Sequence, residues 1–290
     1  MKKCAFLTMD NPGDFVIYDS LLVEPLTRFG WDVDTISWKK RNVCWKDYHC
    51  VIVRSTWDYQ NDPDLFLTVL DTINDQTRLE NNLELINWNI NKNYLAELEK
   101  KKIAIVPTLW PDAFDANLIK NSFNRFNAEE IILKPRISAN ADNTFRLTYN
   151  DLYISKNNLA DVFRNRPFLI QPFLKNIITE GEYSLFFFGG EYSHTILKTP
   201  KTNDFRVQEE HGGILKPVTP SKELLKTAWQ SIDVLHRKPL YARVDFVRDE
   251  HEQYLLMEME LIEPSLYFNM DPDSPIRFAK VFDKWMNSGQ

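Results

Sequence analysis

The chain has 290 residues, 43% of them hydrophobic and 26% charged, a composition that fits a soluble globular protein long enough for two domains. Lys and Arg number 35 against 41 for Asp and Glu, a net charge of −6 that gives no basic footprint for nucleic acid. Glycine is scarce. There are 8 where a background of about 7% would give about twenty, and none lies between Trp31 and Glu180, which removes the G-x-G-x-x-G, G-x-x-x-x-G-K-[ST] and G-x-S-x-G signatures. Cys4, Cys44 and Cys50 are odd in number and lack C-x-x-C spacing, so neither a disulfide framework nor a zinc site is expected. The N-terminus is too short in apolar residues for a signal peptide, and no apolar run approaches the roughly 20 residues of a membrane span. These features point to a reducing cytoplasm.

In chain order, residues 4–9 read as a strand and residues 17–29 as a helix, with Ile17, Leu21, Leu22 and Leu26 on one face and Gly30 as its stop. Pro25 sits awkwardly inside that helix. Strands at 31–37 and 50–53 and a helix near 62–74 complete an alternating series, an open α/β domain over residues 1–86. A second stretch, 87–167, opens with a helix at 91–101, followed by a short strand, a helix near 115–126 and a strand at 130–134. From 168 to 290 longer strands dominate (168–172, 182–189, 191–198, 240–248 and 253–261), with helices at 221–236 and 275–286. The pattern is that of an antiparallel sheet with helices on one side.

The strongest chemical signal is Arg243-Val-Asp245 followed by Glu258-Met-Glu260. The period of two puts Glu258 and Glu260 on one strand face, and a hairpin through residues 248–253 brings Asp245 beside them. Three carboxylates in an apolar sheet repel unless a hard cation lies between them, and two Mg²⁺ ions bridging nucleotide phosphates suit that donor set. A solvent-facing strand side is the alternative. Lys134 and Lys198 each end an apolar strand and precede a proline-marked turn, where an ammonium is placed to meet phosphate or merely to be solvated. The segment Gln171-Pro172-Phe173 followed by Glu182 fits a connection that reads an adenine edge and ribose hydroxyls, or a plain edge strand.

Taken in order, Asn89-Ile-Asn-Lys92, Leu133-Lys134-Pro, Gln171-Pro-Phe173, Glu182, Lys198, Arg243-Val-Asp245 and Glu258-Met-Glu260 resemble the ATP-grasp enzymes, the superfamily of D-alanine–D-alanine ligase, glutathione synthetase and RimK-type ligases. The resemblance covers about two hundred residues, from Trp88 onward. It implies an N-terminal open α/β domain on the substrate side, followed by a two-lobed ATP-grasp fold with an antiparallel sheet. It further implies Lys92 and Lys134 on the α- and β-phosphates, with Gln171, Pro172, Phe173 and Glu182 around adenine and ribose. Lys198 would face the nucleotide, and Arg243 would stabilise the transferred phosphoryl group. Asp245, Glu258 and Glu260 would hold two Mg²⁺, with Mn²⁺ as the substitute metal. Glu260 replaces the family's usual asparagine. The family's glycine-rich flap corresponds here to Ser138-Ala-Asn-Ala-Asp-Asn-Thr144, which has no glycine; Asn tolerance of positive φ is the expected substitute.

The segments Arg54-Ser-Thr-Trp-Asp-Tyr59, Asn87-Trp-Asn89, Ile137–Thr144 and Asp204–Gly213 resemble the subgroup containing D-cycloserine synthetase. Read physically, Arg54 fits a clamp on a substrate carboxylate, and Ser55, Thr56 and Asp58 fit an amino group, with Trp57 as a wall. A structural Arg–Asp pair is the alternative for Asp58. Arg206, Glu209 and His211 precede Gly212-Gly213 in a lid that closes on the nucleotide, with Arg206 joining Arg243 and Lys198 as the catalytic cations and His211 an ordinary loop residue. The resemblance thus implies ATP-dependent ligation of an amino-acid-like small molecule through an acyl-phosphate, with ring closure as one form, and no nucleic acid or membrane partner. A homodimer is the default assembly. A kinase-like phosphotransferase and a non-catalytic nucleotide-binding module remain the rival readings.

Overall fold

The computed structural model describes residues 1–288. Three sheets organise it. The first is parallel, in the order β2-β1-β3-β4, from β1 (Lys2–Thr8), β2 (Trp31–Ser37), β3 (Cys50–Ser55) and β4 (Arg78–Glu80). The second is antiparallel, in the order β6-β5-β7, from β5 (Glu130–Pro135), β6 (Phe145–Thr148) and β7 (Phe168–Pro172). The third is antiparallel, β10-β9-β8-β11-β12, from β8 (Glu182–Phe188), β9 (Glu191–Thr199), β10 (Ile214–Pro217), β11 (Tyr241–Arg248) and β12 (Tyr254–Glu260). The mixed α/β class expected from the sequence is the class observed. One placement differs: β7, grouped by the sequence pattern with the C-terminal strands, pairs with β5 in the second sheet, so a division at residue 168 would cut that sheet.

The helices are α1 (Val23–Arg28), α2 (Pro63–Asn74), α3 (Leu83–Asn89), α4 (Tyr94–Lys100), α5 (Ala116–Phe126), α6 (Asp151–Phe163), α7 (Asn176–Thr179), α8 (Lys222–Asp233) and α9 (Ser274–Asn287). The helix expected at 17–29 is shorter, a 3-10 turn at Asp19–Leu22 leading into α1. Pro25 falls in the first turn of α1, where a missing N–H leaves no helical bond unmade. At α2, Pro63 opens the helix and the Asp62 carboxylate caps it, accepting from the Leu65 amide at 3.1 Å.

Period-two alternation decides which faces meet. On β11, Ala242, Val244 and Phe246 are buried with Leu95 and Leu98 of α4 and Leu224, Ala228 and Ile232 of α8. Arg243 and Asp245 therefore take the opposite face. On β5, Ile131 and Leu133 pack with Ile119, Phe123 and Phe163 from α5 and α6, leaving Ile132 and Lys134 on the other side. The two faces left uncovered border one cleft. A third core joins the first and third sheets: Cys4, Phe6 and Trp31 pack with Phe186 and Phe188 of β8 and with Phe278 and Phe282 of α9.

Candidate active site

Register builds the charged wall of the cleft. Glu182 lies opposite Lys198, Ser184 opposite Asp245, Asp245 opposite Glu258, and Arg243 opposite Glu260. One face across β9, β8, β11 and β12 thus carries alternating cations and carboxylates. This face is not a solvated strand side: Lys198, Glu182, Arg243 and Asp245 are buried, and Glu258 and Glu260 are half-buried against Lys92 and Arg243. β12 bulges where Phe246 pairs with Leu256, so Met257 falls out of strict alternation and joins Glu258 and Glu260 in lining the cleft.

Most of these charges are already paired. Lys198 contacts Glu182 directly and stands 3.6 Å from Asp245. The Arg243 guanidinium donates to Asp245 at 3.0–3.1 Å and contacts Glu260. Ser184 donates to Asp245. Lys92, on the turn before α4, donates to the Ser138 carbonyl at 2.7 Å and pairs with Glu258 at 2.9 Å. Lys134 differs: it lines the cleft from β5 and makes no hydrogen bond or ion pair among the described residues. Burial holds its ammonium below the usual lysine range; Glu258 works against this and Lys92 adds to it. Burial alone would push the Lys198 ammonium down, but Asp245 and Glu182 outweigh it and hold it above its ordinary value. Burial also raises Glu260, to about 7, with Arg243 opposing and Glu258 and Asp245 adding to the rise.

Asp245, Glu258 and Glu260 offer the hard oxygen donors that suit a divalent cation. They stand side by side on β11 and β12, each tied to a lysine or arginine, and no three such groups among the described residues converge as a preformed metal cage.

At the far end of the cleft, Gln171 of β7 donates to Thr108 Oγ1 at 3.0 Å, and Pro172, Phe173, Ile132 and Val106 supply apolar walls. Phe173 is fixed from behind. Its amide donates to the Glu130 carbonyl at 2.9 Å, and Arg146, held by two bonds to Glu130, lies 3.9 Å over its ring. Two loops cover the cleft. In the flap, Asn140, Ala141 and Asn143 adopt φ of 55°, 55° and 51°, so asparagine does stand where glycine would be expected, and Ala141 joins it. The loop from Asp204 to Gly213 contributes Phe205, Arg206, Val207, Gln208, Glu209 and Glu210 to the lining. The Arg206 guanidinium is held by Asp204 at 2.9–3.1 Å, and His211 Nε2 lies 3.4 Å from the Asn140 carbonyl, tying loop to flap.

The set Arg54, Ser55, Thr56 and Asp58 does not reach the cleft. β3 is buried along its whole length inside the first sheet, so Arg54 points into packing, not into a pocket. It is 1% exposed, donates to Asp19 at 2.8 and 3.0 Å and to the Pro264 carbonyl at 3.2 Å, and stacks over Tyr241. Ser55 donates to Thr8 at 2.8 Å, and Thr56 is fully buried. Asp58 accepts from Trp38 at 2.7 Å and pairs with Lys39, not Arg54. Trp57 and Tyr59 of the same segment do line the cleft. Glu263 lines it too and was not singled out from the sequence; its place three residues after Glu260, before Pro264, was the available signal.

The crystal structure of D-cycloserine synthetase DcsG superposes with a TM-score of 0.87 over 98% of this chain and all of that one, at 24% identity. The chain has the ATP-grasp fold. DcsG of Streptomyces lavendulae, a cycloserine biosynthesis protein, is 27% identical over 275 residues, 90% of this chain and 91% of the relative. Residues 4–81 match the family described as the N-terminal domain of D-cycloserine synthetase DcsG. The ATP-grasp ligase PsnB, solved with a variant precursor, Mg and ADP, has a TM-score of 0.68 at 13% identity, covering 98% of each chain. The resemblance read from the ordered motifs, to the ATP-grasp superfamily and to its D-cycloserine synthetase-like members, is borne out. No described helix is long and apolar enough to cross a membrane.

Proposed function

We propose that this ATP-grasp protein is an ATP-dependent ligase that joins the carboxylate of an amino-acid-like substrate to a nitrogen, releasing ADP and phosphate. The observation that carries the reading is the single strand face on which Lys198, Glu182, Asp245, Arg243, Glu258 and Glu260 stand in register, opposite the unpaired Lys134. Lys92 and Lys134 approach the cleft from the other side, as needed to grip the α- and β-phosphates between two walls. Gln171, Pro172 and Phe173 bound the adenine end, with Glu182 at the ribose, and Ser138 belongs to the flap over the phosphates.

The terminal phosphoryl group passes to the substrate carboxylate, and the acyl-phosphate is attacked by nitrogen, intermolecularly or within one molecule. The protein supplies no nucleophile; positioning and charge do the catalysis. Arg243 and Lys198 stabilise the charge that develops on the transferred group. Arg206 reaches it only by leaving Asp204 as the loop closes. Asp245, Glu258 and Glu260 would hold Mg²⁺, two ions by the donor count, and when bound the metal neutralises the phosphates; Lys92 and Arg243, now paired to Glu258 and Glu260, would turn to phosphate instead.

The test is phosphate release on a panel of amino acids and dipeptides with mass spectrometry of the product. An amide with one ADP per turnover is expected, and Lys134→Ala and Glu258→Gln should each lower turnover at least ~100-fold, the scale of losing one electrostatic contact to a transition state. Near-normal turnover in either variant contradicts the assignment. A stable phosphorylated acid with no amide would instead make the protein a phosphotransferase.

A further inference from the structure

Glu182, Asp245, Glu258 and Glu260 each sit in an ion pair with a lysine or arginine. Glu263 borders the same cleft and is only 7% exposed, yet it closes no ion pair among the described residues. A buried carboxylate without a cation is costly, and such groups cluster where a ligand supplies the missing charge. Its surroundings are aromatic. The Trp57 indole donates to the Glu263 carbonyl at 2.8 Å, Phe15 packs 5.2 Å from the Trp57 ring, and the Tyr59 side chain hydrogen-bonds the carboxylate; all three line the cleft. The flap closes on this corner, with Asn140 donating to the Trp57 carbonyl at 3.2 Å.

We propose that Glu263, walled by Phe15, Trp57 and Tyr59, is the subsite that binds the protonated amine of the substrate, and so selects amino acids over other carboxylic acids. The proposal deepens the ligase reading and rests on it. Carboxylate and aromatic faces are the two groups that recognise an ammonium best when desolvated together. Burial and then the charge of Glu260 push the Glu263 carboxyl up to about 8, with Lys92 opposing, and an arriving ammonium provides the paired countercharge that no side chain among the described residues supplies there. With Arg54 held by Asp19 and Asp58 by Lys39, this corner is where the 54–59 segment meets substrate, through Trp57 and Tyr59.

The test compares paired probes that differ only at the α-carbon: D- and L-serine against D- and L-glycerate, and D- and L-alanine against D- and L-lactate, extended over a panel of amino acids, read by ATP-dependent phosphate release. Wild type should favour the amino acid in kcat/KM at least tenfold. Glu263→Gln should bring that ratio close to one, raising KM for the amino acid at least tenfold while KM for ATP is unchanged, and Glu263→Asp should restore part of the preference. A structural role would lower both members of each pair alike, and an unchanged ratio in Glu263→Gln overturns the subsite while leaving the ligase reading intact. If the wild type turns over no amino acid on the panel, the ligase reading itself fails, and the subsite with it.

Discussion

Arg54 shows what neighbouring residues decide that motif type does not. An arginine at the end of a strand is a reasonable carboxylate clamp, and the sequence offers Asp58 as its structural alternative. The structure gives it neither role: Asp19, thirty-five positions away, takes two of its donors and Tyr241 takes its face. Nothing local in 54–59 signals that partner. Replacing one member of a buried pair leaves the other uncompensated, a loss of about 3–5 kcal/mol. Asp19→Asn should therefore lower the unfolding free energy by an amount on that scale, measured by denaturant unfolding, with KM for every substrate unchanged. A raised substrate KM at unaltered stability would return Arg54 to the binding site. Lys134 is the opposite case. Its place facing the cleft was legible because the apolar run Ile131–Leu133 fixes it on a strand, and alternation then turns it away from the α5–α6 core.

At the scale of elements, four of the five strands of the third sheet, β8, β9, β11 and β12, were readable from alternation almost to the residue, and so was the hairpin that sets Asp245 opposite Glu258; the short edge strand β10 was not. The elements from 135 to 167 were not. In α6 the buried stripe among the described residues is Leu152, Leu159 and Phe163, while Ile154 is 84% exposed and breaks the period. The covering loop was visible through its glycines, and the structure explains their use. Gly212 adopts φ of 82°, and a Cβ on Gly213 would lie 2.0 Å from the Val207 carbonyl oxygen. Any side chain there must open the turn that holds Val207, Gln208 and Glu209 over the cleft, and with it the Tyr18–Glu209 bonds at 2.9 and 3.1 Å. Gly213→Ala should reduce kcat/KM for ATP at least tenfold with a smaller effect on melting temperature, because the strain falls on the turn over the cleft and not on a strand or α-helix. Wild-type kinetics in this variant would show that the loop does not cover bound nucleotide.

Across the whole molecule, the first sheet is stitched to the third by buried polar groups that no motif scan would select. Asn81 donates to the carbonyls of Tyr241 and Leu261 at 2.8 and 2.7 Å and accepts from the Leu240 amide at 2.6 Å. Asn89 bridges Met259 and Leu261, and the Tyr241 hydroxyl, 2.7 Å from the Val53 carbonyl and 2.9 Å from that of Ile262, shares its one proton between them. These bonds bring the segment carrying Trp57 and Tyr59 against β11 and β12, so the aromatic corner and the charged wall share one cleft. The scarcity of glycine is consistent with that rigidity: the flap reaches positive φ through asparagine and alanine, at about 1 kcal/mol or more for the alanine. The central claim, transfer of phosphate to a substrate carboxylate before nitrogen attack, is tested most directly by following a heavy-oxygen label from that carboxylate during turnover. The account predicts that one labelled oxygen appears in the released inorganic phosphate, with ADP as the nucleotide product. Unlabelled phosphate, or AMP with the label in pyrophosphate or the nucleotide, would contradict it.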